Sequence, residues 1–230
     1  MPTSGLYAYA PTAGEFVLNA FGRIGIRRTE LTQQHLADAA NEANLTQVEF
    51  ANRQPNLFMA ETYDVTVVAG TATYVLPARF VSPMSVWLTI TPSGGTAFDR
   101  IITPISTVDY TSLPNKALVA NPTTFWFQRQ VIPQITLWPV PPDNVDIVLH
   151  LRILSQPQDV TLPNGVQPQM PYRWYDAFTA SLAWRLAVIY APDKEQARRN
   201  DAERAWTIAA TEDIEYTPMH ISPGISGYYR

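Results

Sequence analysis

"YDAFTASLAWRLAVIYAP", residues 175–192, carries one acid and one base in eighteen positions, and apolar or small residues fall on every side of it. A helix that is apolar all round needs cover on several sides. Lipid, the interior of one domain, and neighbouring copies of the chain are the three candidates. As a helix, residues 177–191 would span roughly 22 Å, short of a hydrocarbon core of roughly 30 Å. Arg185 would also lie at mid-depth, where a charge is costly. Lipid is thereby rejected. The expectation is a soluble chain whose helix lies mainly inside a helical bundle, with other copies nearby.

Working outward, Pro171 suits a first helical turn, where its missing N–H costs nothing. Trp174, Phe178, Leu182, Leu186 and Ile189 form one stripe. Ala177, Ala180, Ala183 and Ala187 add surfaces where another backbone can approach closely. Pro192 breaks the chain, and Asp193 and Gln196 have the spacing of a capping box. A second helix then runs to about Asp213. Glu195 and Arg199 lie on its solvated face, and Ala202, Ala205, Trp206 and Ala209 on its buried face. On the other flank, a short helix is predicted over about 14–23, with Phe16, Val17, Ala20 and Phe21 on one side. A longer helix follows, capped by Thr29 or Thr32. Leu36, Ala39, Ala40, Ala43 and Ala51 lie near helical spacing, and Pro55 helps stop it.

The segment between the flanks differs in composition. Residues 62–164 hold six Asp, no Glu, four Arg, one Lys and 12 of the 20 prolines. Glu favours helices, and Pro punctuates short strands and turns. Val86, Leu88 and Ile90 share one face of a strand, and Ile147, Leu149, Leu151 and Ile153 repeat the pattern. "VTVVAGTATYVLP" is read as a hairpin turning near Gly70, and "FWFQRQVIPQITLWP" as another turning near Ile132-Pro133. "ISTVDYTSLP" between them is read as one short helix. The fold class expected is therefore α+β. A helical bundle is formed by 1–61 and 165–213, a β-rich sandwich or small barrel by 62–164, and an extended C-terminal arm by 214–230.

The search for chemistry is mostly negative. Net charge is −4, so attraction of the whole surface to nucleic acid is not expected. The chain has no cysteine, which excludes disulfides and Cys-ligated zinc. The N-terminus lacks the basic start and apolar run of a secretory signal. His35, His150 and His220 show no metal-binding spacing, and no nucleophile elbow is present. No catalytic residue, metal or cofactor is expected. Two rival readings stay open. In the first, Trp126 and Trp138 with loop aspartates Asp99, Asp109, Asp143 and Asp146 form a carbohydrate-binding or -cleaving module. Turn chemistry and packing are the favoured uses of those residues. In the second, Arg23, Arg27 and Arg28 face a DNA phosphate backbone. They could equally complement a helix C-terminus or acids of another subunit. The final segment, "EYTPMHISPGISGYYR", has no helical pattern. Yet Tyr216, Met219, Ile221, Ile225, Tyr228 and Tyr229 are too apolar for a solvated tail. Docking on a partner or packing back on its own domain would satisfy them.

The order of features resembles a known family. "YVLP" at 74–77, "NPTTFWFQRQ" at 121–130, "LWPVPPD" at 137–143 and the helix opening Pro171-Tyr172-Arg173-Trp174 look like the head-to-tail connector, or tail adaptor, proteins of short-tailed bacteriophages. The resemblance covers nearly the whole chain. It implies a non-enzymatic virion protein, assembled in the host cytoplasm. Copies of the chain would form a ring, typically dodecameric, beneath the portal. The ring would extend the DNA channel and support a downstream tail or nozzle protein. The genome DNA would pass through it without sequence-specific binding. The implied portal-binding arm carries Tyr216, Met219, Ile221, Ile225, Tyr228, Tyr229 and Arg230. Trp174, Phe178, Ala180, Ala183, Trp184, Ala187 and Trp206 are expected at a subunit interface or in the bundle. Arg23, Arg27 and Arg28 are candidate DNA-channel residues. The β insert is large for such a protein, and could contact the next tail protein or a neighbouring subunit.

Overall fold

A computed structural model describes residues 5, 9–54, 56–162 and 166–213. The chain opens with helix α1, Ala13–Ile24. Thr12 and Glu15 form a reciprocal capping box at its start. Both partners satisfy amide donors that the first turn leaves free. Its buried face is Ala13, Phe16, Val17, Ala20, Phe21 and Ile24. Gly25 ends it with φ 90°, a left-handed conformation that glycine adopts without a Cβ penalty. A Cβ there would also lie 2.5 Å from Lys194 Nζ, which donates to the Ile24 carbonyl at 2.7 Å.

Helix α2, Gln33–Arg53, starts at Thr32, whose hydroxyl accepts from the His35 amide. Its buried face is Ala39, Ala43, Thr46, Gln47 and Phe50. This corrects the expected stripe, because Leu36 is 38% exposed and Ala51 is exposed. Leu36 lies in the first turn, ahead of the first buried residue of the helix, Ala39, and Glu42 and Glu49 of the same helix reach Arg185. Pro55 lies outside the described residues.

Two antiparallel helices close the bundle. They are α4, Tyr175–Tyr190, and α5, Glu195–Glu212, and the chain between the two flanks contains a short α3, Thr107–Ser112. Trp174, Phe178, Leu182 and Leu186 are fully buried, but Ile189 is 47% exposed, on the side of the last turn away from Ala187 and Ala191, which stay buried. The expected capping box at Asp193 and Gln196 does not form. Residues Pro192–Lys194 make a 3-10 turn that feeds directly into α5, so no free N-cap is left for Asp193 to serve. Glu195 and Arg199 form no ion pair. Arg199 instead lies 5.7 Å from the centre of the Trp184 ring.

The insert is a two-sheet sandwich. Its strands are β1 (Ala60–Thr66), β2 (Thr73–Val75), β3 (Phe80–Pro92), β4 (Phe98–Ile101), β5 (Thr103–Pro104), β6 (Thr124–Gln128), β7 (Gln134–Trp138) and β8 (Val145–Ser155). One sheet runs β1-β8-β3-β4 and the other β2-β7-β6-β5. Only the β5–β6 pairing is parallel among these strands. Period-two alternation places Val86, Leu88 and Ile90 opposite Leu151, Leu149 and Ile147, all buried. They meet Phe125, Ile135 and Leu137 from the second sheet. The hairpin β6–β7 forms as expected.

The expected hairpin at Gly70 does not form. Its two runs, β1 and β2, belong to different sheets. Up to Val67 the chain follows β8, where the Val67 amide donates to the Ile147 carbonyl. After the turn the Ala72 carbonyl accepts from Leu137, in the other sheet. Gly70, with φ 76°, makes the crossing, and the Tyr74 hydroxyl braces it by accepting from the Val68 amide and donating to the Thr71 carbonyl, both at 2.9 Å. Alternation looks the same whether two strands pair with each other or with different neighbours.

The chain passes between bundle and sandwich twice. Asn44 of α2 grips the returning segment by both backbone groups of one residue. Its Oδ1 accepts from the Val160 amide at 2.7 Å and its Nδ2 donates to the Val160 carbonyl at 3.2 Å.

Candidate interaction site

Helix α4 is covered mainly by its own chain. Phe16 of α1 meets Phe178 edge-on with ring centres 5.4 Å apart, and Phe50 of α2 lies 5.3 Å from Trp174. Trp174, Phe178, Ala183 and Ala187 are 0% exposed and Ala180 2%, so these five sit in the bundle interior. The single arginine is explained in the same way. Arg185 donates to Glu42 at 3.1 Å and to Glu49 at 2.8 Å, both across the α2–α4 contact.

That pair belongs to a longer charged seam. Arg53 bonds Glu49 on its own helix and both oxygens of Glu203 on α5, at 2.9 and 2.7 Å. Its guanidinium lies 5.0 Å from the centre of the Trp206 ring. The Glu203 carboxylate holds Arg53 above its ordinary range, and Arg53 holds Glu203 below the usual carboxylate range. Trp184 and Trp206 are therefore half-buried, each beneath an arginine, unlike the fully buried Trp174.

What remains outward on the bundle is aliphatic. Leu45 and Val48 on α2, Val188 and Ile189 on α4, and Ile208 on α5 are between 47% and 59% exposed. Sequence reading missed Leu45, Val48, Val188 and Ile208: on α4, apolar on all sides, no pattern separates the covered face from the uncovered one, and on the more polar α2 and α5 the isolated aliphatic residues fall outside the alanine stripes.

Arg23, Arg27 and Arg28 come together. They line an open groove of about 950 Å³ with Tyr9, Tyr172 and Tyr175. Arg23 pairs with Asp176 at 2.6 Å, and Arg27 and Arg28 form no ion pair among the described residues. The groove thus offers cationic and aromatic groups on one surface, suited to an anionic partner. Asp213, whose side chain is 1% exposed, is bonded to Arg173, which ties the end of α5 to the turn that precedes α4. The arm residues Tyr216, Met219, Ile221, Ile225, Tyr228, Tyr229 and Arg230 lie outside the described residues, as does His220.

The residues of the carbohydrate reading are engaged elsewhere. Trp126 stacks on Tyr110 at 4.7 Å, and Trp138 Nε1 donates to the Asn115 carbonyl at 3.0 Å. Asp109 caps α3 through Ser106, Asp99 accepts from Thr89, and Asp143 and Asp146 flank the exposed β7–β8 turn. Among the described residues no group of three or more His, Asp or Glu side chains is placed to hold a metal ion, and no helix is long and apolar enough to cross a membrane.

A protein-family model described as "SU10 adaptor protein" matches residues 12–221. No curated protein matches the chain. Among solved structures, a chain from the virion of a native gene transfer agent (GTA) particle is similar at 11% identity, over 83% of this chain and 84% of that one, with a TM-score of 0.27. At that TM-score the likeness carries no weight for fold or function.

Proposed function

Because the chain belongs to the SU10 adaptor protein family of phage head–tail adaptors, we propose that it is a structural, non-enzymatic component of the virion that joins head to tail as a ring beneath the portal. The observation that carries this reading is the family match across nearly the whole chain. The ring, of twelve copies in proteins it resembles, extends the DNA channel and forms the platform for a downstream tail or nozzle protein. Assembly takes place in the host cytoplasm. Ring symmetry repeats each contact, so interfaces that are modest singly add up.

Three surfaces divide the work. Residues 214–230 hold the portal through Tyr216, Met219, Ile221, Ile225, Tyr228, Tyr229 and Arg230. The bundle holds neighbouring copies through its outward aliphatic side chains and through the arginine-covered Trp184 and Trp206, while Trp174, Phe178, Ala180, Ala183 and Ala187 keep the helices rigid behind them. Arg23, Arg27 and Arg28 face phosphate or a neighbour's acids.

The test is removal of residues 214–230. The truncated chain is expected to keep its helical and strand signature and its unfolding midpoint, and to lose capture by purified portal rings. Capture at the full-length level by the truncated chain would overturn the arm assignment.

A further inference from the structure

The two sheets of the sandwich end differently. In the sheet β2-β7-β6-β5 the edge strand β2 has three residues and β5 only two, one of them Pro104, which has no N–H to offer. Short strands and proline close an edge to other chains. The sheet β1-β8-β3-β4 uses neither device. Its edge strand β1 runs for seven residues and β4 for four, with no proline in either. All of β4 is exposed, Phe98 at 48% and Ile101 at 81%. A sheet edge carrying large apolar side chains is a template for pairing with another chain.

The ladder shows which backbone groups point off these edges. The Ile102 amide donates to the Val86 carbonyl, so Arg100 and Phe98, in the same alternation, also turn toward β3. Asp99 and Ile101 therefore direct their N–H and C=O groups outward. On the far side the Val67 amide donates to the Ile147 carbonyl, so Val65, Tyr63 and Glu61 turn toward β8. Ala60, Thr62, Asp64 and Thr66 point outward there. Each strand is antiparallel to the next, so β1 and β4 run in opposite directions. A copy placed alongside by rotation about the strand direction thus brings its β1 antiparallel to this β4. We propose that β4 of one copy pairs with β1 of the next, continuing the sheet from copy to copy. The inference rests on the ring reading above, since it needs neighbours related by a rotation.

The side chains select the register. Outward-pointing residues must meet outward-pointing residues, so Asp99 has few partners. Opposite Asp64 it would set two carboxylates together, which is destabilising. Opposite Thr66 it would leave Arg100 against Val65. Opposite Thr62 it sets Arg100 against Glu61, Phe98 against Tyr63 and Ile101 against Ala60. The first is an ion pair. The second is an aromatic pair on the inner face, where Phe98 lies beside the buried Ile90 and Tyr63 beside the buried Leu151. Glu61 also holds Arg79 at 3.0 Å and is 37% exposed, and a carboxylate has lone pairs for both guanidiniums.

The chain has no cysteine, so one engineered disulfide reports the contact. In this register positions 100 and 61 form a non-hydrogen-bonded pair, whose Cα separation of about 4.5 Å is within disulfide reach. Arg100→Cys and Glu61→Cys are made in separate chains, mixed and loaded on portal rings, where native mass first shows whether the unmodified chain joins in many copies. A failure at that step sinks the ring reading and the pairing with it. With the ring formed, mild oxidation is expected to link the two variants, and not to link Arg100→Cys with Thr66→Cys. Should a substitution keep its chain out of the ring, Asp99→Cys with Thr62→Cys reads the same pairing. Formed rings with neither link, or equal linking to position 66, overturn the strand pairing alone.

Discussion

Replacing Arg185 by alanine removes the one basic charge of the apolar helix. Its two bonds, to Glu42 and Glu49, tie α4 to α2 across more than a hundred residues of sequence. The three side chains are 24%, 21% and 19% exposed, so the pair lies between two known regimes. Fully exposed pairs contribute about 0.2–1 kcal/mol. Breaking a fully buried pair by removing one partner costs about 3–5 kcal/mol. Glu49 would keep Arg53, whereas Glu42 would keep no ion-pair partner among the described residues. An intermediate loss of about 2–3 kcal/mol follows. For a chain of this size each kcal/mol is about 2–4 °C in Tm, giving a fall of about 4–12 °C. Urea unfolding and calorimetry would read it, and a double-mutant cycle with Glu42→Gln would isolate one bond. A loss below about 0.5 kcal/mol, the behaviour of a solvated pair, would refute the view that this charge is internal to the bundle.

Leu182→Ala, at a position 0% exposed, is expected to lower stability by about 2–5 kcal/mol through lost burial and a residual cavity, read from the same urea curves. Glu203 gives a pH dependence. Its folded value lies below the unfolded one because Arg53 donates to it, so its contribution is present above the unfolded value and is lost as pH falls through the folded one. Glu203→Gln should therefore flatten part of the acid limb of a stability-against-pH profile, and an unchanged limb would contradict the pairing.

The elements that sequence revealed best are those whose partner is implied by their own pattern. β3 and β8 alternate cleanly and pair with each other, and Phe16, Val17, Ala20 and Phe21 lie where α1 is buried. Where the partner is remote, the pattern gives a face and no more. The alternation around Gly70 suits a hairpin and a sheet-to-sheet crossing equally. Ile189 extends a helical stripe on paper, but at the last turn only the opposite side, Ala187 and Ala191, is covered. The three clustered arginines were visible as a run, whereas the tyrosines that complete their groove come from residues 9, 172 and 175. His150 shows the same limit, since its partners arrive from two other strands.

The central claim is that the apolar surface left outside this fold serves association with other chains at the capsid vertex. Native mass measurement of the purified chain, alone and mixed with portal rings, tests it most directly. A portal complex carrying a fixed set of many copies is the expected result. A chain that stays unbound at every ratio and condition, with portal rings shown to be intact, would contradict it.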